Sequence, residues 1–299
     1  MAPFFFKKVH GFELLDFIQI LKSKVHKLSN TLLKKLLLFL LEIVTKLPVL
    51  PRIFKLTGVK SLIRICKSCT FVGPDVDYDK LGGLNNLYFD YRSDSYISER
   101  SLYEPHYKNI NDLISSKNVI YQRNTNLNLL LKSYVDINLI HNVIDWGGGR
   151  GEFIPEVLQE KKIWLLDISN EPTIKENYIR VTNPPTDIQF DYVQVCHVLE
   201  HVASPLNFMT NVLKHVRPGG YIYIEVPQDR PNKDLAELVN SNSEYFHHIH
   251  EHINLYSETA INKLAEALDL KVIKIQSKRF DFEWTTSDII SAVLQKKDF

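Results

Sequence analysis

Two acidic residues around a glycine-rich turn have the spacing of a nucleoside-binding site. Asp145 lies in a short apolar run from Asn142 to Trp146, and the glycines Gly147, Gly148, Gly149 and Gly151 follow directly. Glycine lets the backbone turn sharply and approach a ligand closely. Asp167 lies 20 positions after Gly147, the spacing at which an acidic side chain bonds ribose hydroxyls in a βαβ unit.

The glycine loop differs from the dinucleotide-binding fingerprint in the number of residues before its final glycine. It reads Gly-x-Gly-x-Gly, and the pyrophosphate-binding form has one more residue before its final glycine. Fewer helix N–H groups are then arranged for phosphate, so a ligand with ribose and no phosphate fits better. We predict a helix over 151–160, whose N–H groups face that ligand.

A histidine-rich segment offers a candidate general base. It contains His247, His248, His250, Glu251 and His252. A neutral imidazole is suited to take a proton from a hydroxyl, or from carbon beside a ketone. His201 is the second candidate, and a polar loop without a ligand is the plainer interpretation. Glu251 precedes His252 directly, so His-Glu-x-x-His is absent and no metal site is predicted.

Alternating apolar runs predict the elements that position these residues. Strands are predicted near 142–147, 162–168, 178–182, 190–197, 221–226, 271–276 and 289–295, and helices near 119–135, 151–160, 205–216 and 257–268. This alternation predicts an α/β fold with a doubly wound sheet. Such sheets bind ligands at the carboxyl ends of their strands, where Cys196 and His197 also fall.

Four ordered motifs resemble a known enzyme family. The segment from Asp145 to Gly151 resembles motif I of class I S-adenosylmethionine (SAM)-dependent methyltransferases. The segment 190–201 with Pro205 resembles their fourth strand and exit loop, and 213–227 resembles the next helix, turn and fifth strand. The segment 250–257 is similar to one in sugar C-methyltransferases. Together the motifs cover roughly residues 120–299, at ordinary βα spacings.

The resemblance implies a Rossmann-like seven-stranded sheet and SAM as the cofactor. The implied cofactor-binding residues are Asp145, Gly147, Gly148, Gly149, Gly151, Asp167, Ile168, Cys196 and His197. The adenine contact stays open between Asn183 and Asp187. The implied acceptor is a small molecule, a sugar nucleotide or a surface-glycan intermediate. A lipid or quinone-type acceptor, or a non-catalytic SAM-binding partner subunit, are the alternatives.

In sugar C-methyltransferases the second histidine of the His-Glu-His segment acts as the base. This implies His252 as the base, with His250 and Glu251 as its orienting neighbours and His201 as the alternative. Whether the methyl group goes to oxygen, nitrogen or carbon stays open.

Charge separates the N-terminal part from the rest. Residues 1–64 hold 12 Lys/Arg and 3 Asp/Glu, a balance of +9, so the rest of the +1 chain carries −8. Residues 1–57 are predicted to form a basic amphipathic helical extension, which either packs on the protein or lies on anionic lipid. The acidic remainder disfavours nucleic acid as a partner.

Residues 58–117 are predicted to form a small module before the catalytic domain, 118–299. Its Cys66-Lys-Ser-Cys69 pair resembles half of a zinc module, and since a zinc site needs four ligands we expect a structural relic. Tyr91, Tyr96 and Arg100 are candidates for the acceptor pocket. With three cysteines, no apolar run of spanning length and no secretory signal, a cytoplasmic location is expected, peripheral to the membrane if residues 1–56 bind lipid.

Overall fold

The computed structural model describes residues 4–9, 58–75, 93–103, 107–114, 116–169, 171–228, 252–282 and 285–298. Apart from residues 4–9, the predicted helical extension over 1–57 lies outside the described residues, as do the side chains of Tyr91, Arg100, His250 and Glu251.

The described strands form two sheets. The strands are β1 Phe4–Val9, β2 Gly58–Ile65, β3 Val72–Asp75, β4 Asn142–Trp146, β5 Lys162–Leu166, β6 Ile179–Val181, β7 Phe190–Cys196, β8 Val216–Pro227, β9 Leu270–Phe282 and β10 Thr285–Lys296. The described α-helices are α1 Asp94–Tyr103, α2 Tyr107–Ile114, α3 Lys117–Tyr134, α4 Pro205–Leu213 and α5 Glu258–Ala267. None of the helices among these residues is long and apolar enough to cross a membrane.

The larger sheet has seven strands in the order β6-β5-β4-β7-β8-β10-β9. The first five are parallel, and β10 pairs antiparallel with both β8 and β9. The central strands are buried on both faces, as their continuous apolar runs predict. The α/β doubly wound prediction is therefore confirmed, with an antiparallel hairpin at one edge. The chain order reverses at β4 and β7, the switch point where open α/β sheets bind ligands.

Helices cover both faces of the sheet. Leu127, Leu130 and Leu131 of α3 pack in one core with Tyr192 and Tyr223. The second core holds the buried side chains of α4 and α5 together with sheet residues; its helical members are Met209, Val212, Ala260, Ile261 and Ala265. The carboxyl ends of β4 and β7 are thus held between two packed layers.

The predicted helix over 151–160 is wrong. A turn follows Gly151, and the only helical piece in this stretch is a 3₁₀ turn over Glu156–Leu158. Pro155 explains the difference: it disfavours the α conformation at Ile154 and has no N–H to donate. The chain therefore crosses between β4 and β5 through a short, mostly irregular segment.

The helical prediction is also wrong for residues 4–9. These form strand β1, which pairs antiparallel with β2, and β2 pairs with β3. The sequence Phe4-Phe-Phe6 favours a strand, since aromatic side chains fit a pleated surface better than a helix. The N-terminal segment thus belongs in part to the small sheet.

The small sheet contacts the part of the protein that contains the larger sheet through the residues after β2. Val72 N–H donates to Leu255 O at 3.1 Å, and Leu255 N–H donates to Val72 O at 2.8 Å. The Phe71 and Tyr256 ring centroids lie 5.3 Å apart. Ser257 Oγ donates to Cys69 O at 2.8 Å and accepts from Ala260 N–H as the N-cap of α5. The Cys66–Cys69 turn therefore braces the segment that begins at His252.

We expect Ser257→Ala to lower the free energy of unfolding by about 1–3 kcal/mol, because a cap and a buried hydrogen bond are lost together. Thr259→Ala, an exposed change in the same helix, is the matched control. Chemical denaturation of both variants measures the difference. Equal stabilities would mean that the brace adds nothing to folding.

Candidate active site at the carboxyl ends of the central strands

The glycine loop is shaped by its protein neighbours. Gly147 has φ +81°, and a Cβ there would lie 2.3 Å from Val198 Cγ2. A Cβ on Gly148 would lie 2.7 Å from Asp145 Cγ. The first two glycines are therefore required by close packing as well as by any ligand, which the sequence alone does not reveal.

Asp145 is a buried carboxyl group, 1% exposed, at the end of β4. Burial, followed by the negative charge of Asp167, raises the pKa of Asp145 to about 7. Its Oδ1 accepts no hydrogen bond from the described residues. A cationic ligand would favour the ionised form of this group.

Asp167 organises the loop from the end of β5. Its Oδ2 accepts from Gly149 N–H at 2.8 Å, and its Oδ1 accepts from Ser169 N–H at 2.7 Å. Arg180 ties the same region together by donating to Gly149 O at 2.6 Å and to Ser169 O at 2.9 Å. Each carboxylate oxygen keeps a further lone pair for a ligand hydroxyl. The exposed side chain of Ile168 follows directly.

His197 lies in a strained turn where β7 ends. Its φ is +53°, which is uncommon for a residue with a Cβ. Its Nδ1 lies 3.2 Å from Glu200 Oε1, and its Nε2 lies 3.3 Å from Glu225 Oε1. Burial and nearby Arg123 disfavour the charged imidazole, but the two carboxylates outweigh them and raise the pKa of His197. His197 therefore carries a positive charge more readily than an ordinary histidine.

Glu225 of β8 is buried and paired with Arg123 of α3. Arg123 Nε donates to Glu225 Oε1 at 2.7 Å, and Tyr223 Oη donates to Glu225 Oε2 at 2.8 Å. Burial alone would raise the pKa of Glu225, but the charge of Arg123 and the contact with His197 lower it to about 2. The neighbouring Cys196 thiol has its pKa raised by burial and by Glu225, so it is a neutral group here.

Glu200, His201 and His252 meet beside this cluster. The candidate ligand atoms of the three side chains lie within 4.8 Å of one another. The His201 and His252 rings are 5.0 Å apart between centroids. Glu200 O accepts from Ile253 N–H at 2.8 Å and from Asn254 N–H at 3.0 Å. The structure thus brings together both candidate bases, which lie 51 positions apart in the chain.

Sequence reasoning missed Glu200, Glu225 and Arg123. One signal was available for Glu225, because it interrupts an apolar run in the predicted strand over 221–226. A charge at such a position is rare unless it is paired. Asn183 and Asp187 are both exposed in the loop after β6, and the choice between them stays a prediction.

A known protein family matches this chain, and several solved structures are similar to it. A family described as "Methyltransferase domain" matches residues 112–275. One similar solved structure is the 1,6-didemethyltoxoflavin-N1-methyltransferase of Burkholderia thailandensis, at 15% identity and a TM-score of 0.48 over 81% of this chain and 98% of that one. Another is N-methyltransferase NodS of Bradyrhizobium japonicum, at 18% identity and a TM-score of 0.41 over 60% and 98%. No curated protein sequence matches the chain.

The raised pKa of Asp145 predicts a pH-dependent stability. A carboxyl whose folded pKa lies above its unfolded value stabilises the fold at low pH, and this is lost as the pH rises through about 7. The loss is on the order of 4 kcal/mol between pH 4 and pH 7. Asp145→Asn lacks it, so the stability of the variant relative to the parent should increase between about pH 4 and pH 7 and stay level above that.

Denaturation of both ligand-free proteins across that range measures this. Glu200 and Glu225 have lowered pKa values of about 2, so they do not titrate in this window. Parallel stability profiles of parent and variant would contradict the assignment to Asp145.

Proposed function

Because the chain belongs to the methyltransferase-domain family, we propose that it methylates a small-molecule acceptor, a sugar nucleotide or surface-glycan intermediate. The donor is S-adenosylmethionine, which supplies an electrophilic methyl group on a sulfonium when bound. The observation that carries the proposal is the pair of carboxylates, Asp145 and Asp167, around the glycine loop at the switch point of the sheet.

The residues present fit this donor. The free lone pairs of Asp167 are suited to the two ribose hydroxyls, and exposed Ile168 offers an apolar surface for adenine. Asp145, with an oxygen that accepts no hydrogen bond from the described residues, is suited to a cationic methionine group. Cys196 and His197 would flank the same part of the ligand from the end of β7.

His252 is proposed as the base on the acceptor side. Transfer from a sulfonium leaves a neutral thioether, so the protein's tasks are to align the acceptor and to remove its proton. His252 is half-buried, next to His201 and the anionic Glu200. A carboxylate beside an imidazole stabilises the cation that forms when the imidazole takes a proton. The similarity of segment 250–257 to sugar C-methyltransferases supports a sugar acceptor.

Calorimetric titration with SAM and with NAD tests the donor assignment. We expect SAM to bind and NAD not to bind. Asp167→Ala should weaken SAM binding by about 10- to 100-fold, because hydrogen bonds to a charged group contribute about 1.5–3 kcal/mol. Asp112→Ala removes an exposed carboxylate from α2 and is the matched control. Binding of NAD alone, or unchanged SAM affinity in Asp167→Ala, would contradict the cofactor site.

His252→Ala should lower turnover by about 10²–10⁴-fold and leave SAM affinity within a few fold, because general bases contribute rate and not donor binding. His201→Ala should have the smaller effect. His141→Ala removes an exposed histidine before β4 and controls for loss of an imidazole. The measurement is the rate at which each variant methylates the members of a panel of sugar nucleotides. A fully active His252→Ala enzyme would exclude this base.

A further inference from the structure

We propose that Glu200, His201 and His252 bind a divalent transition-metal ion, and that the bound ion prevents His252 from acting as the base. Among the residues that the structure describes, these three form a group whose candidate ligand atoms all lie within 4.8 Å of one another. One carboxylate and two imidazoles are a common ligand set of zinc and of related divalent ions.

The carboxylate of Glu200 is the strongest single observation. Its side chain is fully buried, and neither oxygen accepts a hydrogen bond from the described residues. A buried anion of this kind requires positive charge nearby. His197 Nδ1 lies 3.2 Å from Glu200 Oε1, and the imidazoles of His201 and His252 lie near the same carboxylate, with candidate ligand atoms within 4.8 Å. A divalent ion held by these groups would supply further positive charge.

The ligand atoms determine which class of ion fits. Two nitrogens favour Zn²⁺, Co²⁺ or Ni²⁺ over Mg²⁺ and Ca²⁺, which prefer oxygen ligands. Zinc bonds of about 2.0–2.2 Å place tetrahedral ligand atoms about 3.4 Å apart. The ligand atoms lie within 4.8 Å of one another, so binding would require them to approach by at most about 1.4 Å. Three protein ligands leave a fourth position for water or for the acceptor.

The backbone already holds the two ligand-bearing segments together. Ile253 and Asn254 N–H groups donate to Glu200 O. The Asn254 side chain donates to Leu199 O at 2.9 Å and to Val202 O at 2.7 Å. The ion would therefore join segments that are ordered before it binds, and little chain entropy would be lost.

Metal and proton compete for the same nitrogen of His252. A ligated imidazole has no lone pair for an acceptor proton, so the loaded enzyme should turn over more slowly. This consequence rests on the proposed function, whereas the binding of the ion does not.

Binding is measured on the full chain after removal of metal with a chelator. Zn²⁺ and Co²⁺ are added singly, and bound metal per chain and the visible absorption of Co²⁺ are recorded. All proteins carry Cys66→Ser and Cys69→Ser, because this thiol pair could bind the same ions: hydrogen bonds from Ser68 and Cys69 lower the pKa of Cys66 to about 7. His141→Ala is the matched control.

We expect one ion per chain in the protein that lacks the Cys66 and Cys69 thiols and in its His141→Ala variant. Glu200→Gln, His201→Ala and His252→Ala should each weaken binding by more than 10-fold, since even residues behind the ligands contribute about 10- to 100-fold. SAM binding by each variant shows that it is folded, and His201→Ala alters only a partly exposed side chain. Absence of binding, or binding that none of the three changes weakens, would overturn the proposal.

Turnover separates this proposal from the proposed function. Zinc loading should lower methyl transfer, and the chelator should restore it. Metal binding without methyl transfer in either state would reject the proposed function and keep the metal site. Methyl transfer without metal binding would reject the metal site and keep the proposed function. Faster turnover with zinc would reject the competition between metal and proton at His252.

Discussion

The buried ion pair between Arg123 and Glu225 is the contact on which both sides of the site depend. Arg123 comes from α3 and Glu225 from β8, so the pair joins a helix to the centre of the sheet. Glu225 also accepts from His197 N–H through its backbone oxygen, at 2.8 Å. Removing one partner would leave a buried charge, which costs about 3–5 kcal/mol. The turn at the end of β7, where His197 lies, is therefore held in place by Glu225 of the neighbouring strand β8.

The environments of three acids divide the site into two electrostatic parts. Asp145 has its pKa raised to about 7, whereas Glu200 and Glu225 have theirs lowered to about 2. Arg123 and the histidines account for the difference, because they lie beside the two glutamates and not beside the glycine loop. The part with Asp145 and Asp167 therefore favours a cation, and the part with Glu200 offers imidazoles. Divergent pKa values among similar groups are typical of sites with separate acid and base roles.

The sequence predicted the sheet well because its signal is local. Buried parallel strands such as β5 and β7 are continuous apolar runs, and the glycine loop and Asp167 follow such runs directly. The helix over 151–160 failed because one residue, Pro155, outweighed an otherwise compatible pattern. The meeting of Glu200 with His252 was not predictable, since it depends on how a segment 52 positions later packs on the turn after β7. The base role of His252 stays a prediction.

Close packing joins the glycine loop, the proposed donor site, to the segment that carries the proposed base. A Cβ on Gly147 would overlap Val198, so the glycine loop lies directly against the turn that follows His197. The same turn continues through Glu200, whose backbone holds the segment of His252. Methyl transfer requires the acceptor to be aligned with the donor's methyl group to within a fraction of an ångström. If the proposed function holds, that alignment would depend on three short segments in direct contact, the glycine loop, the turn after β7 and the segment of His252.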